Sequence, residues 1–167
     1  MDNYLGHPPA QRPWRTGDLG VIDKNGVLIV HGRKDSLIVT SFGRNISPEW
    51  IETLLLGDPL IAICAVTGHS EPCLTALLIP SAIGVAWFAN ATDTAILDLI
   101  SECCSTAPAY AVPQKVRVVS LAAAIESELV SSNGRPRRAR ISEFINALAE
   151  PHTLLHNRLI AKKGFQS

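Results

Sequence analysis

Along residues 18–33 two apolar runs, Val21-Ile22 and Val27-Leu28-Ile29-Val30, flank Asn25-Gly26. Glycine accepts the positive φ of tight hairpin turns, so this pattern predicts a β-hairpin. Such a hairpin would hold Asp18 at one end of a rigid element and Arg33 near the other. Residues 36–40, Ser-Leu-Ile-Val-Thr, have the β-branched content of a strand. Ser47 then reads as a helix N-cap, with Pro48 at the first helical position and Glu49 favourable to the helix dipole. Trp50, Ile51, Leu54 and Leu55 share one face of that helix, and Asp58-Pro59 ends it.

Two apolar runs at 60–67 and 73–80 are separated by the turn-rich Gly68-His69-Ser70-Glu71-Pro72, which predicts an antiparallel strand pair. Thr92-Asp93 opens a second helix with Ile96, Leu97, Ile100 and Cys103 spaced for burial, closed by Ala107-Pro108. Lys115-Val116-Arg117-Val118-Val119 alternates as a half-buried strand does. Residues 131–140 are polar and Arg-rich and contain Asn133-Gly134, which predicts an exposed, mobile loop. Ile141, Phe144, Ile145 and Leu148 follow at i, i+3, i+4, i+7 and predict a third helix, broken by Pro151. One more short helix is expected around 154–159. The sum is an α+β domain: a small, mainly antiparallel sheet of about three strands flanked by helices and preceded by a β-hairpin.

The 167 residues suit one domain of ordinary size, and 47% hydrophobic content supplies its core. Aromatic content of 5% makes that core mainly aliphatic. With 15 basic and 15 acidic residues the formal net charge is zero, which argues against a nucleic-acid or anionic-membrane surface. Cys64, Cys73, Cys103 and Cys104 show no Cys-x-x-Cys spacing, and a reducing, cytoplasmic compartment is expected. No signal peptide and no membrane span are expected. The five histidines are scattered; His152 and His156 fall at i, i+4 without a third ligand nearby, so no metal site is predicted. No Ser/His/Asp or Cys/His arrangement stands out.

Three polar clusters carry the chemistry: Thr16-Gly17-Asp18-Leu19-Gly20, Gly32-Arg33-Lys34-Asp35, and Gly43-Arg44-Asn45-Ile46-Ser47-Pro48 leading into Glu49-Trp50-Ile51-Glu52. Their ordered set closely resembles the linker and lid of the adenylate-forming enzymes, the superfamily of acyl-CoA synthetases, luciferases and peptide-synthetase adenylation domains. The fatty-acyl-CoA synthetase branch is the most similar. The resemblance implies that Asp18 accepts hydrogen bonds from the ribose hydroxyls of the nucleotide, for which an acceptor-only carboxylate is suited. It implies a nucleotide contact for Arg33, the hinge position for Asp35, and for Gly43 the place where a pantetheine arm passes the backbone. Glu49 and Glu52 read as part of a helix start. The family places a lysine in an Asn/Ser-Gly-Lys-x-x-Arg motif on a loop near the C-terminus, and here Ser132-Asn133-Gly134-Arg135-Pro136-Arg137-Arg138 puts Arg135 there. Arginine keeps the charge but is planar and bulkier, so the exchange is not conservative. Arg135 substitutes for the lysine, another arginine of the loop serves, or adenylation is impaired.

The implied division is 1–34 as the end of an adenylation core and its hairpin linker, 35–150 as the lid, and 151–167 as a tail. Residues 4–8, Tyr-Leu-Gly-His-Pro, resemble the last stretch of that core, and no glycine-rich phosphate loop is present. The expected function is that of the C-terminal lid of an ATP-dependent, AMP-forming acyl-acid ligase, inactive by itself. Its expected partners are the N-terminal adenylation core and either CoA or an acyl-carrier protein as thiol acceptor. ATP with Mg²⁺ would serve the whole enzyme, with no cofactor held tightly by the lid. The alternative is a non-catalytic lid-like module that docks on a partner or carrier protein.

Overall fold

The structure is a computed structural model that describes residues 17–33 and 36–148. The expected helix around 154–159 and the hinge position Asp35 lie outside the described residues. The hairpin pairs β1 (Asp18–Ile22) with β2 (Leu28–Arg33) in antiparallel register. Its turn is closed by Asp23, whose Oδ1 accepts from the amides of Asn25 at 2.8 Å and Val27 at 2.9 Å. Gly26 there takes φ +80°, the left-handed conformation glycine adopts without a side-chain penalty. Folding back brings both ends of the segment together, so Asp18 and Arg33 are cross-strand partners. The ladder slips between Leu19 and Gly20 and skips His31.

A short ribbon follows, β3 (Ile38–Val39) against β4 (Asn45–Ile46), much shorter than the strand expected over 36–40. The intervening turn is tight: Thr40 donates its amide to the Arg44 carbonyl and accepts from the Gly43 amide. Helix α1 (Pro48–Leu55) starts at Ser47 as expected, but the Ser47 hydroxyl donates to Glu49 Oε2 at 3.1 Å instead of capping a backbone amide.

The central sheet has the order β5-β6-β7, formed by β5 (Ile61–Thr67), β6 (Thr75–Pro80) and β7 (Lys115–Val118). β5 and β6 are antiparallel as expected, while β6 and β7 are parallel. Their crossover carries α2 (Gly84–Asn90), α3 (Asp93–Cys103) and a 3-10 turn (Ala109–Ala111). The Thr92 side chain caps α3 by accepting from the Ala95 amide at 3.2 Å. Helices α4 (Leu121–Glu126) and α5 (Arg138–Ala147) complete the described chain.

All six residues of β6 are buried because both sheet faces are covered. Cys64, Val66, Ala76 and Leu78 join Ile51 and Leu55 of α1 and Ile96 and Ile100 of α3 in one core. Ala65, Leu77 and Ile79 point the other way, into a second core with Ala124, Leu129 and Ile141. The period of two along a strand sorts one continuous apolar run into two layers, giving the α+β architecture. The hairpin is different: Ile22, Leu28 and Val30 on it are largely exposed.

The Asp23 carboxyl is held below its ordinary value by the amide of Val27 and then that of Asn25, which bond only the charged form well. A lowered folded-state pKa adds turn stability that is complete above the unfolded value and is lost as pH falls through the folded one. The Asn25 and Val27 amide resonances should therefore titrate together with a midpoint below 3.8, and Asp23→Asn should abolish the transition. A midpoint at or above the ordinary aspartate value contradicts this account of the turn.

Candidate functional site

Strand β5 is an edge strand, so one side of it presents backbone amides without a β partner. The Val66 amide is met there by Glu52 of α1, whose Oε1 accepts it at 2.8 Å. Glu52 sits on the same helix face as Pro48, Ile51 and Leu55 and is buried with them. A buried carboxylate requires a cation, and Arg138 of α5 supplies one. Its two guanidinium nitrogens donate to Oε1 and Oε2 of Glu52, both at 2.7 Å, in a bidentate fork. Glu49 adds a weaker contact at 3.4 Å. Burial acts to lower the Arg138 pKa, but the hydrogen bonds and charge of Glu52, with that of Glu49, outweigh it and hold it above its ordinary value. Cys64 donates its thiol to the Glu52 carbonyl at 3.4 Å, and burial, reinforced by the Glu52 charge, pushes that thiol up to about 12. Cys64 is a packing residue, not a nucleophile.

Arg138 closes the loop that carries Arg135. Ser131 organises the preceding turn: its hydroxyl accepts the Arg135 amide at 3.0 Å, and its own amide donates to the Arg135 carbonyl at 2.9 Å. Gly134 takes φ +76°, Val130 bridges to Pro136, and the Arg137 amide donates to the Leu129 carbonyl at 2.8 Å. The loop expected to be exposed and mobile is thus a hydrogen-bonded turn with residues 132–134 at its tip, and Arg135 stands at its base opposite Ser131, exposed. Among the described residues Arg135 makes no salt bridge.

The other sequence-derived residues lie on separate elements. Asp18 and Arg33 are backbone partners across the open end of the hairpin, and Asp18 is exposed. Gly43 occupies the β3–β4 turn at φ +72°, and a side chain there would meet no atom within 4 Å. The described chain pairs the backbones of Asp18 and Arg33 across the hairpin, while Gly43 and Arg135 lie on two other turns. Among the described residues no group of three His, Cys, Asp or Glu side chains could hold a metal ion. No helix there is long and apolar enough to cross a membrane.

Glu52 and Arg138 are what the sequence reading missed: Glu52 went with the helix start and Arg138 with a basic run. The available signal was a carboxylate on the apolar stripe of an amphipathic helix, which demands a buried partner.

Residues 35–149 match the family described as the AMP-binding enzyme C-terminal domain, and the chain belongs to that family. A long-chain-fatty-acid–CoA ligase, FadD15, of Mycobacterium tuberculosis is 42% identical over 65 residues, covering 39% of this chain and 11% of the relative. A 2-succinylbenzoate–CoA ligase of Bacillus cytotoxicus is 34% identical over 101 residues, 60% of this chain and 20% of the relative. The matched part of this chain therefore spans a fifth or less of these two relatives. The A domain of a carboxylic acid reductase from Segniliparus rugosus, solved with AMP and a carboxylic acid, shares the fold at TM-score 0.66 and 21% identity over 80% of this chain and 23% of that one.

Removing the Glu52 carboxylate orphans the Val66 amide and leaves Arg138 only its longer contact with Glu49. Glu52→Ala should cost about 3 kcal/mol of unfolding free energy in urea. Glu49→Ala, at a half-exposed and longer contact, should cost under about 0.5 kcal/mol. Equal losses at the two positions would show that the buried fork has no special weight.

Proposed function

We propose that this chain serves as the C-terminal lid of an AMP-forming acyl-acid ligase. The observation that carries the reading is Arg135, exposed and without a salt bridge among the described residues, at the base of a turn anchored through Arg138, where the family resemblance puts a lysine. In the first half-reaction a carboxylate oxygen of the acid attacks the α-phosphorus of ATP, and the bond to the β-phosphate oxygen breaks to release pyrophosphate. Both reactants are anionic, so a cation placed between carboxylate and phosphate lowers the barrier by orienting them and offsetting charge. Arg135 fills that role, its turn limiting the reorganisation needed. Asp18, opposite Arg33 at the end of the hairpin, holds the ribose hydroxyls, and Asp35 is the hinge about which the lid turns. Mg²⁺ accompanies the ATP phosphates. The domain limits of 1–34, 35–150 and 151–167 go with this reading, and so does a cytoplasmic setting.

In the second half-reaction a thiol sulfur attacks the acyl carbon of the adenylate, AMP leaves with its bonding electrons, and the thiol proton passes to solvent. Gly43 lets the pantetheine arm run close to the backbone. The two curated relatives act on different acids but are both CoA ligases, which favours CoA over a carrier protein as the acceptor. The exposed apolar side chains of the hairpin suit docking against an adenylation core.

The test uses the full-length enzyme. Arg135→Ala should slow adenylate formation, read as ATP–pyrophosphate exchange, by about a hundredfold or more, while thioester formation from supplied acyl-adenylate stays near normal. Gly43→Asn should do the reverse. Asparagine tolerates the left-handed backbone, so this variant adds bulk at Gly43 without forcing the turn open. Unchanged exchange in Arg135→Ala would remove Arg135 from the reaction.

A further inference from the structure

The β3–β4 ribbon is held from outside by the loop between β5 and β6, residues 68–72. Val39 stands opposite Asn45 of β4, yet its own amide and carbonyl both bond to that loop. The Val39 carbonyl accepts the Ser70 amide at 2.8 Å, and two residues on the Ser41 amide donates to the Glu71 carbonyl at 3.0 Å. The Gly68 carbonyl is turned inward, where it accepts the Glu71 amide at 3.0 Å. The Val39 amide goes instead to a side chain: Nδ1 of the exposed His69 accepts it at 3.3 Å. Three successive loop residues thus grip a strand of two residues. The loop is constrained on both sides of His69. Ser70 takes φ +63° without being a glycine, and a side chain at Gly68 would come within 3.0 Å of the Cys73 carbonyl oxygen. Such conformations persist only where the surroundings over-determine them.

A ring nitrogen accepts a hydrogen bond only when it carries no proton, so the His69 proton sits on Nε2. In that tautomer the imidazole stands in for a strand carbonyl, and both backbone groups of Val39 are satisfied on the outer edge of β3. The grip ends where the turn begins. Ser41 is the last residue held, and Gly43 follows two residues later at φ +72°, its amide donating to the Thr40 carbonyl at 2.9 Å. We propose that His69 is a positioning residue for the second half-reaction. Through Nδ1 it fixes β3, and with it the place of the Gly43 turn against the incoming thiol. It acts through the turn, without contact to thiol or adenylate. The proposal rests on the ligase reading above and adds to it a residue from a loop that the sequence shows only as turn-rich.

The test has two arms. In the 167-residue chain, NMR should show a scalar coupling between the Val39 amide nitrogen and His69 Nδ1, the signature of an N–H···N hydrogen bond. His69→Ala should speed hydrogen exchange of the Val39 amide by about fivefold, the worth of one neutral hydrogen bond. His69→Asn places an acceptor the same number of bonds from the backbone and should restore that protection, whereas His69→Gln, one bond longer, should not. In the full-length enzyme, His69→Ala should slow thioester formation from supplied acyl-adenylate by about fivefold, with ATP–pyrophosphate exchange unchanged. His69→Asn should recover the rate and His69→Gln should not. An uncoupled Val39 amide whose exchange His69→Ala leaves alone would overturn the proposal. So would unchanged thioester formation in His69→Ala, equal loss in both half-reactions, or recovery in His69→Gln but not in His69→Asn. The coupling and the protection judge the brace without the ligase reading, which Gly43→Asn tests by itself.

Discussion

The Glu52 carboxylate is the point on which the arrangement of this domain turns. It fills three demands at once: the unpartnered Val66 amide at the edge of β5, the Arg138 fork, and the burial of the apolar stripe of α1. Helices α1 and α5 belong to cores on opposite faces of the sheet, so neither packs on the other through apolar contact. The ion pair passes around the edge strand and ties the two layers together. A buried pair of this kind is not a large net source of stability, because desolvation offsets much of the attraction. What it supplies is uniqueness: a shift of α5 that put Ala139 in the place of Arg138 would leave a buried carboxylate without its cation.

That constraint reaches both of the loops to which chemistry is assigned. Arg138 begins α5 and lies three residues after Arg135, so fixing its guanidinium fixes one base of the turn. At the other end, a single residue, Ser47, separates α1 from β4, which closes the turn of Gly43 and Arg44. One helix thus links the turn read as serving the thiol with the anchor of the turn read as serving the phosphate. A lid that rotates as a rigid body between two half-reactions needs such a coupling, since each loop must keep its shape when the other is in use.

Much of this was readable in the sequence. Asn25-Gly26 between apolar runs gave the hairpin, Ser47-Pro48 gave the start of α1, and the β5–β6 pair followed from two apolar runs around a turn. The α+β class and the family both followed from these elements and their motifs. Helices α2 and α4 escaped because they are short and have no apolar period of their own; Ser120 caps α4 without any flanking signal. The parallel pairing of β7 was illegible for another reason: the strand alternates as either pairing would require, and only the crossover decides the direction. For the site, local motifs named Asp18, Arg33, Gly43 and Arg135, whereas Glu52 and Arg138 are 86 residues apart and meet only through the fold.

The most direct measurement of the central claim is a double-mutant cycle between Glu52→Gln and Arg138→Met, read as unfolding free energy in urea. Glutamine keeps an acceptor for Val66 and methionine keeps the stem, so the coupling term isolates the charged fork. A coupling of about 1.5 kcal/mol or more is predicted, with the Ser131–Arg135 amides losing protection from exchange in each single variant. Additive effects, within about 0.3 kcal/mol, and an unaltered turn would contradict it.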